Sequence, residues 1–164
     1  MKDTRSFKNV WEMNTYMIDM WNKTVKRGDQ VFHLGDFGYK VRGGGTPLDK
    51  IIKSLNGCIT LIRGNHDKYV KKHEHLFHCV KDLHTVKLHN GVKCMLCHYP
   101  MRTWNASHWG SYHLHGHAHG GVIPGGKMWD VGVDVNGFRP ISEFEVMAIM
   151  RDLPDNENLI KNKT

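Results

Sequence analysis

Long apolar runs are missing from this 164-residue chain, so no membrane span is expected, and no apolar segment of the secretory kind opens it. Cysteine is scarce. Cys58, Cys79, Cys94 and Cys97 are too few for a disulfide scaffold of this length, which makes a reducing, cytoplasmic setting the expectation. Cys94-Met95-Leu96-Cys97 has zinc-ribbon spacing, yet it falls in a predicted strand, where residues three apart face opposite sides, and no second cysteine pair follows. Both are read as strand residues. An Arg-rich stripe with interleaved aromatics is also absent, so specific nucleic-acid binding is not expected despite a formal net charge of +7. The positive balance, mildly clustered at Lys68, Lys71 and Lys72, favours anionic ligands such as phosphate esters or nucleotides.

The apolar content that is present suffices for one packed core, and neither an internal repeat nor a second domain divides the chain. Residues 1–153 read as a single domain and the Asn/Lys-rich stretch from Pro154 to Thr164 as a loose polar tail. Val10, Met13, Met17, Trp21 and Val25 recur at helical spacing, predicting a helix from about Phe7 to Val25. Gln30 to Leu34 reads as a buried strand, Gly43-Gly44-Gly45 as a loop, and Thr46-Pro47 as the start of a helix that stops at Asn56-Gly57. Cys58 to Ile62 is the next strand, so strand, helix, strand predicts a parallel pair. Lys68 to Phe77 reads as helical, and Thr85–Leu88 with Val92–Cys97 form a hairpin about Asn90-Gly91. Tyr112–His115 and Met128–Val135 read as strands, the latter with Trp129, Val131, Val133 and Val135 on one face. Ser142 and Glu145 form a capping-box pattern for a short final helix. Together these predict a layered α/β fold, with mixed sheets flanked by helices and ligands gathered on loops at strand ends.

Four short segments each follow a predicted strand: Gly35-Asp36, Gly64-Asn65-His66-Asp67, Cys97-His98-Tyr99 and Gly116-His117-Ala118-His119. Carboxylate, amide oxygen and imidazole suit divalent ions of intermediate hardness, such as Mn, Fe, Ni or Zn. The ordered segments resemble the blocks of the calcineurin-like metallophosphoesterase family, as do Phe7-Lys8-Asn9-Val10, Glu12-Met13-Asn14 and Val131-Gly132-Val133-Asp134, which are similar to small bacterial and phage members. The resemblance reaches to about Met150. It implies a sandwich of mixed sheets and a metal-dependent phosphoesterase that hydrolyses a phosphomonoester or phosphodiester, nucleotides included, by metal-activated hydroxide in the cytoplasm of a bacterial or phage-infected cell. By that resemblance Asp36 bridges two metals, Asn65, His98 and His117 complete one ion, and His119 binds the partner ion, with His117 and His119 alternating along an extended segment. His66 looks like the phosphate-contacting proton donor, Asp67 like the group that sets its tautomer, and Arg63 like either a phosphate contact or a structural ion pair. Asp134 is expected behind the metal ligands. His33, His89, His113 and His115 match no family ligand position and are read as structural or supporting residues.

The family's opening Asp-x-His block has no counterpart here. Asp3-Thr4-Arg5 is the nearest triplet, but arginine does not ligate metal, so Asp3 is read as a surface residue and the chain as beginning some twenty residues late, the span of one strand and its loop. One ion is then fully held and its partner weakly, and an unpaired sheet neighbour favours a homodimer. The alternative expectation is a catalytically impaired relative that binds metal and phosphate, or a protein partner.

Overall fold

The computed structural model describes residues 5–38 and 47–160. The Gly43–Gly45 loop, Thr46, Asp3 and the last four residues of the expected tail lie outside them. Helix α1 (Val10–Thr24) starts where Asn9 Oδ1 accepts the Glu12 amide at 2.9 Å, later than the apolar pattern suggests. Phe7 stays outside the helix because its ring packs on Tyr16 and Phe138, with centroids 5.5 and 5.4 Å away. Strand β1 (Gln30–His33), helix α2 (Leu48–Ser54) and strand β2 (Cys58–Ile62) form the expected parallel crossover unit, with Gln30 beside Cys58 and His33 beside Leu61. A 3₁₀ helix (Asp67–Leu76) then leads to a short third strand, β3 (Cys79–Lys81), parallel to β2.

Only Asp82 separates β3 from β4 (Leu83–Lys87), and there the chain leaves the first sheet for a second. That second sheet has the order β4-β5-β6-β7, with β5 (Lys93–Cys97) antiparallel to β4, then β6 (Tyr112–His115) and β7 (Met128–Asp130) parallel. Helix α3 (Glu143–Asp152) is closed by the Ser142–Glu145 capping box. The fold is therefore α/β, two sheets with flanking helices. Leu34 and Ile62 from the first sheet meet Leu96 and Leu114 from the second, with Val146 and Met150 of α3, in one buried cluster. Among the described residues no helix is long and apolar enough to cross a membrane.

Two expectations need correction. β7 stops at Asp130 instead of running to Val135, because Asp130 and Asn136 side chains take over the backbone. The Asp130 carboxylate accepts the Gly120 and Gly132 amides at 2.9 and 2.8 Å, and the Asn136 amide donates to the carbonyls of Asp130 and Gly132. The tail is not loose as far as Ile160. Asn156 is buried and donates to the Ser107 and Ser111 carbonyls, and the Ile160 amide donates to His108. Helix α1 has no fully buried residue, and its Val10, Met13, Met17 and Trp21 line a broad cleft of about 1980 Å³, also bordered by β1 and by β4, each an edge of its sheet. The four cysteines are free, and burial pushes the Cys94 thiol up to about 12, which fits a packing role.

Candidate metal centre

All four motif segments emerge from the carboxyl ends of parallel strands, two in each sheet. His98 joins the sheets: its Nδ1 lies 2.7 Å from the Leu34 carbonyl at the end of β1, while its own carbonyl accepts the Gly116 amide at 3.0 Å. The motif glycines allow this closeness. A Cβ on Gly35, which has φ +90°, would lie 2.6 Å from Gly64 N and strike His98 Nδ1. One on Gly64 would strike the Asp36 carboxylate and lie 2.8 Å from His98 Cε1. Asp67, 5% exposed, straps the same two loops: Oδ2 accepts the Asp36 and Gly64 amides at 2.8 Å each and Oδ1 accepts that of Phe37 at 2.7 Å. Its carboxylate thus orders the backbone of both loops.

Because a carbonyl can only accept, His98 Nδ1 must carry a proton, and in the neutral ring Nε2 is then left with a lone pair. That nitrogen faces three further groups able to ligate an ion. Asn65 Oδ1 is 3.0 Å away, His117 Nδ1 3.2 Å and Asp36 Oδ2 3.5 Å, while Asp36 Oδ1 is taken by the His66 amide at 2.9 Å. In the tautomer that leaves His117 Nδ1 unprotonated, these atoms bring their lone pairs together, an arrangement that a cation relieves. Bonds of roughly 2.0–2.2 Å to a tetrahedral ion separate its ligand atoms by about 3.5 Å, which matches these spacings. Asp36, His98 and His117 form a His/Asp cluster able to hold an ion, their ligand atoms all within 4.8 Å of one another. Asp36 (φ 55°), His117 (φ 63°) and His119 (φ 47°) all sit in the left-handed region, at a cost of order 1–2 kcal/mol each, where strain commonly marks function. The His117–His119 stretch is consequently a tight turn, with Ala118 N donating to Gly116 O at 2.6 Å and Gly121 N to Ala118 O at 2.7 Å, and the expected extended alternation is absent.

His119 lies outside that cluster. Its Nδ1 is 2.6 Å from Asp134 Oδ2, and Asp134 also receives a two-pronged contact from Arg5, Nε at 2.6 Å and Nη2 at 2.8 Å. Burial alone would raise the Asp134 pKa, but hydrogen bonds from Arg5 and His119 outweigh it and hold the carboxyl below its ordinary range. Nothing in the sequence pairs Arg5 with a residue 129 positions away. His66 is exposed, next to exposed Asn65, and its backbone amide reaches Asp36. Arg63 is committed elsewhere, to Glu74 Oε1 (3.2 and 3.1 Å) and Asp82 Oδ1 (3.0 Å). Tyr99, 45% exposed, sets its ring edgewise on both His98 and His117 with centroids 4.9 Å from each. Of the remaining histidines, His113 and His115 are buried and bonded to backbone, His89 pairs with Glu143 at 3.5 Å, and His33 packs between Trp21 and Phe37.

No protein-family model matches the chain. An uncharacterized protein of Methanocaldococcus jannaschii, MJ1445, is 33% identical over 145 residues, spanning 84% of this chain and 75% of that one. This chain belongs to the same family. A crystal structure of a protein of unknown function from Aquifex aeolicus, AQ665, superposes with a TM-score of 0.70 over 90% of this chain and 88% of that one, at 24% identity. The likeness establishes a shared fold.

Proposed function

We propose that this protein is a metal-dependent phosphoesterase of metallophosphoesterase-like layering, with a divalent ion held by Asp36, Asn65, His98 and His117. The observation that carries the reading is His98 Nε2, set opposite the nitrogen that serves the Leu34 carbonyl and faced by Asn65, His117 and Asp36, three groups able to ligate an ion. The nitrogen and oxygen donor set suits Mn, Fe, Ni or Zn. An ion bound there supplies Lewis-acid charge, neutralising phosphoryl oxygens and lowering the pKa of water toward about 7.

The chain's own residues do the rest. Asp36 and Asn65, on glycine-flanked loops locked by Asp67, keep the donor oxygens fixed before substrate arrives, so little reorganisation is needed during reaction. His66 is our assignment for the group that donates a proton to the leaving alkoxide as water oxygen bonds to phosphorus and the ester P–O bond breaks. The formal charge of +7 draws in an anionic phosphomonoester, phosphodiester or nucleotide. Hydrolysis of p-nitrophenyl phosphate and bis(p-nitrophenyl) phosphate with added Mn²⁺ tests this: metal-dependent turnover, lost in His117→Ala, is expected, and no turnover at saturating Mn²⁺ defeats it. A second reading, a one-metal phosphate-binding module, draws on the engagement of His119 by Asp134 and Arg5. It predicts Mn²⁺ and phosphate binding without turnover.

A further inference from the structure

We propose that Arg5 is a positioning residue for His119: its guanidinium fork fixes Asp134, and Asp134 in turn fixes the proton of His119 on Nδ1, presenting Nε2 as a lone-pair donor at the edge of the centre. The role toward bound metal or phosphate rests on the reading above, but the tautomer does not. Asp134 is ionised and can only accept, so a ring nitrogen 2.6 Å from its Oδ2 must carry hydrogen. The remaining nitrogen belongs to a side chain still 49% exposed, whereas Arg5 and Asp134 are 12% and 22% exposed. The relay therefore runs from a covered cation, through a shielded carboxylate, to an accessible imidazole.

Arg5 is itself held on several sides. Nη1 lies 3.5 Å from Met13 Sδ on α1, and the guanidinium carbon sits 5.9 Å above the Phe138 ring. Phe7 packs edge-on against the same ring, so the segment before α1 is clamped to the loop that carries Asp134. Phe138 turns back to that loop, its amide donating to the Val133 carbonyl at 2.8 Å from a left-handed backbone. A two-pronged contact orients the carboxylate plane, which a lysine would not do. Without Arg5, Asp134 keeps its charge but loses its fixed direction, and His119 is free to exchange tautomers. The arrangement assigns work to a segment whose sequence matches no metal-ligand pattern.

Long-range ¹H–¹⁵N spectra of the full chain, labelled in histidine and free of metal, read the ring nitrogens directly, with His119 assigned by the signal lost in His119→Gln. Wild type should show the Nδ1–H form at about nine-tenths of the population, and Arg5→Met should lower it to about one-half. Arg5→Lys should recover part of the loss, and Asp134→Asn, whose amide can donate to Nδ1, should invert the preference. An unchanged His119 tautomer in both Arg5 variants, or a wild type lacking the Nδ1–H form, would overturn the proposal. If Arg5→Met does not fold, Arg5→Lys and Asp134→Asn decide it. Mn²⁺ titration of the wild type separately tests the metal-centre reading, since failure to bind would leave the tautomer result standing.

Discussion

His98 and His113 are equally hidden, 1% and 0% exposed, yet the fold treats them in opposite ways. His113, inside β6, is closed: Nδ1 donates to the Met95 carbonyl at 3.1 Å and Nε2 accepts the Met101 amide at 3.2 Å, so both ring nitrogens are used by the backbone. His98, just past β5, is half closed, with one nitrogen on a carbonyl and the other aimed at three groups able to ligate an ion. Burial of a histidine therefore says little about function. What separates a ligand from a core residue is a lone pair left over once the backbone has been served.

The most forceful way to break that comparison is to delete each ring. His98→Ala should weaken Mn²⁺ binding, read by calorimetry, by on the order of 10³-fold, since a metal ligand matters more than the outer contacts that cost 10–100-fold. His113→Gln should leave Mn²⁺ affinity within about twofold while costing about 1–3 kcal/mol in urea unfolding, because it disturbs a satisfied buried network. Equal losses of affinity in the two variants would erase the distinction.

Acid sharpens the same contrast. Burial pushes His113 down to about 4, below its unfolded value near 6.5, and the Met95 carbonyl only partly offsets this. A depressed folded pKa means the unfolded chain binds the proton first, so the stabilisation is complete above about pH 6.5 and is lost as pH falls toward 4. The full window is worth about 3 kcal/mol. His33, also pushed down to about 4 by burial, adds in the same direction. Urea unfolding at pH 7 and pH 5 should show wild type weakened in acid and His113→Gln weakened less. Matching slopes would mean that His113 is not held neutral.

Much of the scaffold can be read from residue order because it rests on local chemistry. Cys58–Ile62 is a strand as its apolar run requires, Tyr112–His115 forms the expected short strand, and Ser142 caps α3 with Glu145 as the spacing predicts. β7 defied its alternating valines because Asp130 and Asn136 bond their own neighbourhood, a competition invisible to periodicity. Asn156 is polar by composition but buried by partners 45 and 49 residues earlier. The motif segments of the site were legible as short patterns after strands. Their inequality was expected from the missing opening block, but the contacts behind it were not legible, since Leu34 meets His98 across 64 residues and Arg5 meets Asp134 across 129.

Asp67 extends the comparison to carboxylates, being closed where Asp36 is open. Asp67→Asn keeps one acceptor oxygen but points an amide donor at backbone N–H groups, leaving at least one buried amide without a partner. A loss of about 2 kcal/mol is expected in urea unfolding, with Mn²⁺ affinity falling about tenfold as the Asp36 and Gly64 loops loosen. Unchanged affinity at reduced stability would show that the strap holds the fold but not the centre.

Arg63 provides the smallest effect and the cleanest negative control, since it stands next to the Gly64-Asn65-His66-Asp67 loop yet has its charge spent on Glu74 and Asp82. Its side chain is 40% exposed and that of Asp82 is 82% exposed, so solvent screens the pairs. Arg63→Ala should cost about 0.5 kcal/mol in unfolding and leave both Mn²⁺ affinity and inhibition by inorganic phosphate within about twofold. A tenfold weakening of phosphate inhibition with stability intact would move Arg63 from the closed group to the open one. The guanidinium would then leave Glu74 and Asp82 for the ligand, and the ion pairs would be a resting position.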